Sequence, residues 1–315
     1  MNKLISIIIP VYNEAGNIIP LYEELKKVLS GVSYQYKIVF INDGSTDKTQ
    51  ELLVNLAKKD TSVIYLEFSR NFGKEAATSA GLHNASGLAA IIMDADFQHP
   101  PFLIPKFIEK WEQGADIVIG VRNKNQNENP LKSMGSYLFY KIMNIIGETK
   151  IVPQSTDFRL VDRKVIVEFN RFTEHQRMTR GLLDWMGFKR DYVYFDTDNR
   201  RSGKAQYGFL KKAKLGMSSF VANSLIPLKL AGYLGILIIL FSGLFGLFIL
   251  VENYILQDPW NLHFSGLFIL AIFMLFLMGI TLSCLGLIAF YIANIQIEVT
   301  NRPLYVIKTR KNITS

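Results

Sequence analysis

Two stretches of this chain carry no charged side chain at all, Leu230 to Val251 and Phe264 to Ala293. An α-helix rises 1.5 Å per residue and about 20 apolar residues cross the hydrocarbon core of a bilayer, so each run is long enough to span one. Buried helices of a soluble core are the competing reading, and two such runs in succession argue against it. Residues 230–251 and 264–293 are therefore expected to be transmembrane helices, the second long enough to tilt or to extend into an interface. Basic residues give the orientation. Arg200, Arg201, Lys204, Lys211, Lys212 and Lys214 precede the first run, and Arg302, Lys308, Arg310 and Lys311 follow the second. The loop between them holds Glu252 and Asp258 with no Lys or Arg. Cationic flanks stay on the cytoplasmic side, which places both termini and the N-terminal domain in the cytoplasm. The opening "MNKLISIIIPVYNEAGN" is not expected to be a signal peptide, because Pro10 breaks its apolar run and an acid follows where a small-residue cleavage site should be.

The net charge of +8 suits an anionic membrane surface as well as it suits nucleic acid; with two spans present, the membrane is the better partner and no nucleic acid is expected. The single cysteine, Cys284, falls inside the second span as a packing residue, and the four histidines show no metal-ligand spacing.

The first half alternates short β-rich apolar runs with amphipathic helical patterns, which points to an α/β fold with a parallel sheet and crossover helices. Strands are expected at Leu4–Ile9, Tyr36–Ile41, Val63–Phe68, Leu88–Met93 and Ile117–Gly120, with helices near Asn17–Ser30, Asp47–Lys59, Lys74–Ser86 and Phe102–Gln113. Asp47 followed by Gln50 has the spacing of a capping box. Strands near Phe158–Val161 and Asp191–Phe195, and a helix near Met178–Met186, continue the domain. The expected organisation is a cytosolic domain at 1–207, an amphipathic juxtamembrane segment at 208–229 on the inner leaflet, the spans at 230–251 and 264–293, and a cytosolic tail at 294–315.

Ligands of such sheets bind beyond the carboxyl ends of the strands, and the polar clusters fall there: "PVYNE", "NDGSTD", "SRNFGK", "DADFQH" and "VRN" follow the five strands in turn. In the fourth, Asp94 and Asp96 stand two apart, so a turn can aim both carboxylates at one point. Hard oxygen ligands of that kind suit Mg²⁺ or Mn²⁺, which also bind substrate phosphates. A solvated loop with two acids is the competing reading, and the other four clusters weigh against it. Asp43 offers a carboxylate to a ribose or base, and Gly44 lets backbone approach a ligand closely. Neither a Walker motif nor G-x-G-x-x-G follows the first strand, so ATPase and dinucleotide-oxidoreductase readings lose their support.

"IIPVYNE", "INDGSTD", "RNFGKEAA" and "MDADFQHPP", followed by "DFRLVDR" and two C-terminal spans, resemble a family-2 glycosyltransferase of the polyisoprenyl-phosphate type, the group of dolichol-phosphate mannose synthases and bactoprenol glucosyltransferases. The resemblance covers the whole chain. It implies a GT-A fold and inverting transfer from a nucleotide-diphosphate sugar, with UDP-glucose the first choice, to a polyisoprenyl phosphate such as undecaprenyl phosphate at the bacterial plasma membrane. It implies that Pro10, Tyr12, Asn13 and Glu14 hold the donor base and ribose, that Asp43 contacts the nucleotide, and that Asp94 faces the nucleotide or sugar. Asp96 and Gln98 match the ligands of a Mg²⁺ or Mn²⁺ on the diphosphate, while His99 reads as structural. Asp157 is the remaining acid for steering acceptor or sugar, and Asp94, Asp96 and Asp157 are the expected catalytic residues. Arg70 and Lys74 read equally as phosphate contacts or as surface charges. Arg122 and Arg200 match phosphate-contacting positions. The family's Arg-x-x-Gly-x-Ser-Lys-Tyr reads "RRSGKAQY" here, with Ala205 and Gln206 in place of Ser and Lys, so Arg201 and Lys204 are the candidates to compensate. A homo-oligomer of closed symmetry is expected. Other sugar donors (GDP-mannose, UDP-GlcNAc, UDP-galactose, a modified arabinose) and a non-catalytic membrane scaffold stay as alternatives. A processive polysaccharide synthase would carry Gln-x-x-Arg-Trp, which "HQRMTRGLLDW" does not match.

Overall fold

The computed structural model describes residues 3–123, 152, 154–175, 177–196, 244, 247–248, 251 and 266–312. Along them run β1 (Leu4–Val11), α1 (Ala15–Leu29), β2 (Gln35–Asn42), α2 (Thr49–Lys59), β3 (Val63–Phe68), α3 (Lys74–Asn84) and β4 (Ala89–Ile92). A 3₁₀ turn at Pro101–Leu103 leads into α4 (Ile104–Glu112), followed by β5 (Ile117–Arg122), β6 (Ser155–Asp162), α5 (Arg163–Phe169), α6 (Thr179–Trp185), β7 (Arg190–Phe195), α7 (Gly266–Thr300) and β8 (Ile307–Lys311). The chain divides into two units, Met1–Gln206 with Arg302–Ser315, and Tyr207–Asn301.

All eight strands form one sheet in the order β7-β5-β6-β4-β1-β2-β3-β8. Its centre is parallel, β4-β1-β2-β3. The central strands are apolar on both faces because both faces are covered, as parallel sheets require. Ile5, Ile7 and Ile9 of β1 and Ile38 and Phe40 of β2 point to one side, where Ile18 and Leu21 of α1, Leu53 of α2 and Phe107 of α4 meet them. Ile8 of β1 and Val39 and Ile41 of β2 point to the other, against Ala77 and Ala80 of α3, Val165 of α5 and Leu183 of α6. Helix α3 lies so close to β1 that a Cβ on Gly81 would stand 2.2 Å from the Ile8 Cγ2.

Several expectations need correction. The sheet is mixed: β6 runs antiparallel to both β4 and β5, so the strand carrying Asp157 enters the sheet from the opposite end. Helix α5 was not expected; Asp162 caps it by accepting the Lys164 N–H at 2.9 Å. The capping box at Asp47 does not form, since Lys48 is the N-cap of α2. Asp47 instead accepts the Thr49 N–H at 3.0 Å and the Ala15 N–H at 3.3 Å, tying the starts of α2 and α1 together. Gln50 reaches away to Glu67 at 3.0 Å.

The expected tail contains β8, which pairs antiparallel with β3 and completes the sheet. Tyr305 stacks on Phe68 with centroids 5.0 Å apart, Lys308 meets the buried Glu67 at 2.8 Å, and the Asn312 amide donates to the carbonyls of Ala57 (2.6 Å) and Val63 (2.8 Å). Helix α7 runs 35 residues and takes in residues 266–293 of the second expected span; many of its side chains lie outside the described residues. Counting the described residues alone, no helix is long and apolar enough to cross a membrane. Segment 208–229 lies wholly outside them and the span at 230–251 almost wholly.

Candidate active site

The loops after β1 and β2 are laced together. Asn13 adopts φ +56°, and its side-chain oxygen accepts the Thr46 N–H at 2.8 Å while its own N–H donates to the Ser45 hydroxyl at 3.0 Å. The Glu14 N–H donates to Thr49 Oγ1 at 2.9 Å, and its carboxylate accepts from the Asn17 amide at 2.6 Å. Asn42 accepts the Ser45 N–H at 3.0 Å and donates to the Tyr65 hydroxyl at 3.2 Å. Pro10 and Tyr12 are half-buried beside this lattice. Asn13 and Glu14, expected at a nucleotide, thus also bond the loops after β1 and β2 together.

Asp43 is buried, and its two oxygens accept the Phe72 N–H at 2.6 Å and the Gly73 N–H at 2.9 Å. Burial pushes its carboxyl above the usual range, against the two amide bonds and Arg70. The loop it holds presses on Gly44, where φ is +68° and a Cβ would stand 2.5 Å from the Arg70 carbonyl carbon. Arg70 lies over the Phe72 ring at 4.2 Å. This loop delivers Lys74, the first residue of α3.

Lys74 is the centre of the site. Its ammonium lies 2.6 Å from Asp94, beyond the end of β4, and 2.8 Å from Asp157 in β6. Burial alone would raise the Asp94 carboxyl, but Lys74 and then His99 outweigh it and hold it below the usual carboxylate range. Asp157 is likewise held well below it, burial being overcome by Lys74 and, more weakly, by Arg180. Burial opposes the charge on Lys74 too, yet the two carboxylates raise its pKa above the ordinary lysine value. Three charged groups are thus locked in their charged forms. The sequence holds a signal for this cation, a lysine straight after the glycine of "SRNFGK", but no pattern in it pairs that lysine with two acids far along the chain.

His99 is fully buried, with its ring stacked on Phe158 at 5.2 Å. Its Nδ1 accepts the Asp94 N–H at 2.9 Å, which leaves any ring proton on Nε2. Burial lowers its pKa. It braces the Asp94 turn as the sequence reading expected. Phe97 at φ +64° turns the chain so that the Gln98 N–H donates to Asp96 Oδ1 at 3.2 Å. Asp96 is buried. The Gln98 side-chain oxygen Oε1 accepts from Arg122 Nη2 at 2.8 Å, so the guanidinium expected at a phosphate stands next to the expected metal ligand. Among the described residues no group of three or more His, Cys, Asp or Glu could hold a metal ion. Arg200, Arg201 and Lys204 lie outside the described residues.

Behind Asp157, Arg159 is fully buried and pairs with Asp184 of α6 at 2.9 Å. Glu75, next to Lys74, accepts the Thr179 N–H at the start of α6 at 2.8 Å. These two links fix α6 to both β6 and α3 around the cluster. Sequence reasoning missed Glu75, Arg159 and Asp184.

The sequence model of Glycosyl transferase family 2 matches residues 6–169. The chain is 37% identical over 303 residues to an uncharacterised glycosyltransferase of Synechocystis, covering 96% of this chain and 94% of that one. It is 36% identical over 304 residues to the SfII prophage-derived bactoprenol glucosyl transferase of Shigella flexneri, covering 96% and 97%. It is also 36% identical over 307 residues to the bactoprenol glucosyl transferase of Shigella phage SfV, covering 98% and 99%.

Proposed function

The chain belongs to glycosyl transferase family 2 and is a glycosyltransferase, and on that premise we propose that it moves a sugar from a nucleotide-diphosphate donor to the phosphate of a polyisoprenyl lipid. UDP-glucose and undecaprenyl phosphate are the pair we assign. The acceptor follows from near full-length similarity to two enzymes named bactoprenol glucosyl transferase, and glucose follows from the same names. The observation that carries the reading is the Asp94–Lys74–Asp157 cluster at the strand ends.

The reaction breaks the bond from the anomeric carbon to the donor's diphosphate oxygen and forms one from that carbon to an acceptor phosphate oxygen. The nucleoside diphosphate leaves with the electron pair, and a single displacement inverts the centre. The acceptor is a phosphate monoester, with a second pKa of about 6 by analogy with phosphorylated side chains, so at neutral pH it is already a nucleophile. No strong base is required. Asp157 fits that requirement, because a carboxyl held below its ordinary range is a poor proton acceptor. Its work is electrostatic: with Asp94 it fixes Lys74 at the place where sugar and phosphates meet.

Asp96 and Gln98 supply hard oxygen donors on one tight turn. Mg²⁺ and Mn²⁺ are commonly held by one or two such protein ligands, with substrate phosphates and water completing the shell. Bound there, the ion would neutralise the charge that develops on the leaving diphosphate. Arg122 stands against Gln98 and would meet the same phosphates with a planar fork of donors. The lattice of Asn13, Ser45 and Thr46 would seat the nucleoside.

The lipid acceptor calls for a membrane location. The uncharged runs at 230–251 and 264–293, with their basic flanks, are the sequence features that favour two spans with the catalytic domain and both termini on the cytoplasmic side.

The test is transfer of labelled sugar from a panel of nucleotide sugars to undecaprenyl phosphate in membranes carrying the chain, with Mg²⁺ or Mn²⁺ and with chelator. One donor should give a glycolipid, abolished by chelator and by Asp96→Ala. Label arriving on polymer or protein, with none on lipid, would overturn the acceptor; undiminished transfer by Asp96→Ala would overturn the metal site.

A further inference from the structure

An anion that approaches Asp94 and Asp157 meets two carboxylates, so some cation must be left to receive it. Among the described residues, most cations close to this cluster are already assigned. Lys74 is shared between Asp94 and Asp157. Arg159 is committed to Asp184 and to the Thr156 carbonyl. Arg122 stands against Gln98, on the side assigned above to the donor's phosphates, and Arg70 lies on Phe72 and donates to the Asn71 carbonyl.

Among the described residues, Arg180 is the exception. Its side chain lines one cleft together with Lys74, Glu75, Asp157 and Thr179. It is exposed, and its guanidinium makes no hydrogen bond or salt bridge among the described residues. Its charge reaches Asp157, where it adds to the effect of Lys74. Its backbone is held on two sides: its carbonyl accepts from Arg159 Nη1 at 3.4 Å, and the neighbouring Thr179 N–H is held by Glu75. The cleft itself is narrow, with about 10 Å³ open to water. An anion would therefore be met at its rim, where Arg180 is exposed, rather than at its floor.

We infer that Arg180 binds the phosphate of the acceptor and holds it beside Asp157 for attack on the sugar. A phosphate monoester offers the oxygens that a guanidinium grips with two parallel bonds, and binding it breaks no existing bond of the Arg180 guanidinium among the described residues. This deepens the proposed function and rests on its assignment of a lipid phosphate as acceptor.

The test compares wild type, Arg180→Gln and Arg180→Lys by two readouts. The first is direct calorimetric binding of geranylgeranyl phosphate in detergent, which needs no turnover, with inorganic phosphate as a second probe. The second is KM for lipid phosphate and for nucleotide sugar. Arg180→Gln should weaken lipid-phosphate binding and raise the acceptor KM by roughly 10- to 100-fold, the range of a lost charge-assisted bond, with the donor KM unchanged. Arg180→Lys should recover part of the loss. Thermal unfolding and donor KM at wild-type values exclude a folding defect in either variant. Competition by inorganic phosphate, relieved in Arg180→Gln, would assign the contact to the phosphate rather than the chain. A variant with unchanged acceptor binding in an enzyme that does transfer to lipid phosphate overturns this inference alone, as does a rise confined to the donor KM. A wild type that binds no lipid phosphate overturns the acceptor assignment and this inference together.

Discussion

Asp94 and Asp157, brought from β4 and the antiparallel β6, share one ammonium: Lys74 stands 2.6 Å from the first and 2.8 Å from the second. Removing it leaves two carboxylates facing each other with no cation between them. Lys74→Met should lower transfer by roughly 10²- to 10³-fold, the scale on which a preorganised charge acts at a reacting centre. Initial rates at saturating donor and acceptor check this; a variant within threefold of wild type would place the chemistry elsewhere.

The same cluster has a pH signature. Asp94 and Asp157 have depressed values in the folded chain, so the stability they contribute is present above about pH 4, the unfolded carboxyl value, and is lost as pH falls through their native values. Lys74 has a raised value, so its contribution is present below about pH 10.4 and is lost as pH rises through its native value. The difference in Tm between wild type and Lys74→Met should therefore be largest between about pH 5 and 9 and should narrow toward pH 2. All three side chains are partly exposed, at 26%, 34% and 41% for Asp94, Asp157 and Lys74, so added salt should also narrow it. A difference independent of pH would refute the electrostatic account.

Arg159 and Asp184 form a buried pair, 1% and 7% exposed. Asp184→Asn leaves the guanidinium without its counter-charge and should cost about 3–5 kcal/mol in urea unfolding. Arg159→Met combined with Asp184→Leu should recover much of that, because it removes both buried charges and leaves unpaired only the more exposed Arg190, which stands 3.5 Å from Asp184. Equal losses in the single and double variants would mean that shape, not charge, decides the site.

At Gly44 a Cβ would stand 2.5 Å from the Arg70 carbonyl carbon on a backbone of φ +68°. Gly44→Ala must displace the loop that Asp43 holds and that leads to Lys74. A stability loss of about 1–3 kcal/mol is expected from the strained conformation, with a larger proportional loss of transfer. Full activity at wild-type Tm would show that the loop yields freely.

The β3 edge is covered by β8. Deleting residues 307–315 should expose unpaired strand groups and produce soluble aggregates or dimers, visible by size-exclusion chromatography in detergent. Asn312→Ala, which removes the amide bonds to the carbonyls of Ala57, Asp60 and Val63, should cost about 1–3 kcal/mol by leaving buried carbonyls unpaired and should stay at the wild-type oligomeric size.

The strands of the first half were legible because their two faces are both buried, which writes a continuous apolar run such as "ISIII" into the sequence. The polar clusters at their ends were legible for the complementary reason, since a packed sheet leaves only its carboxyl edge for chemistry. Strand direction was not legible. The residues of β6 alternate in the same way whichever way they run, so the antiparallel entry of Asp157 came only from the structure. β8 was disguised: "IKTRK" reads as a basic tail, yet lysine and arginine are what an edge strand carries on its solvent face. Lys74 was read as surface or phosphate contact alike, because its two partners come from distant segments that only the sheet brings together.

The pairing of β3 with β8 joins strands that end at Phe68 and begin at Ile307. A ribosome adds about 5–20 residues per second, so β3 waits roughly ten to fifty seconds for the strand that closes its flank. Everything between is synthesised while that edge stands open, including the 35 residues of α7. The sheet that carries the Asp94–Lys74–Asp157 cluster is therefore closed only once residues 307–311 have left the exit tunnel. Nascent chains stalled short of residue 307 would be the population most in need of a chaperone.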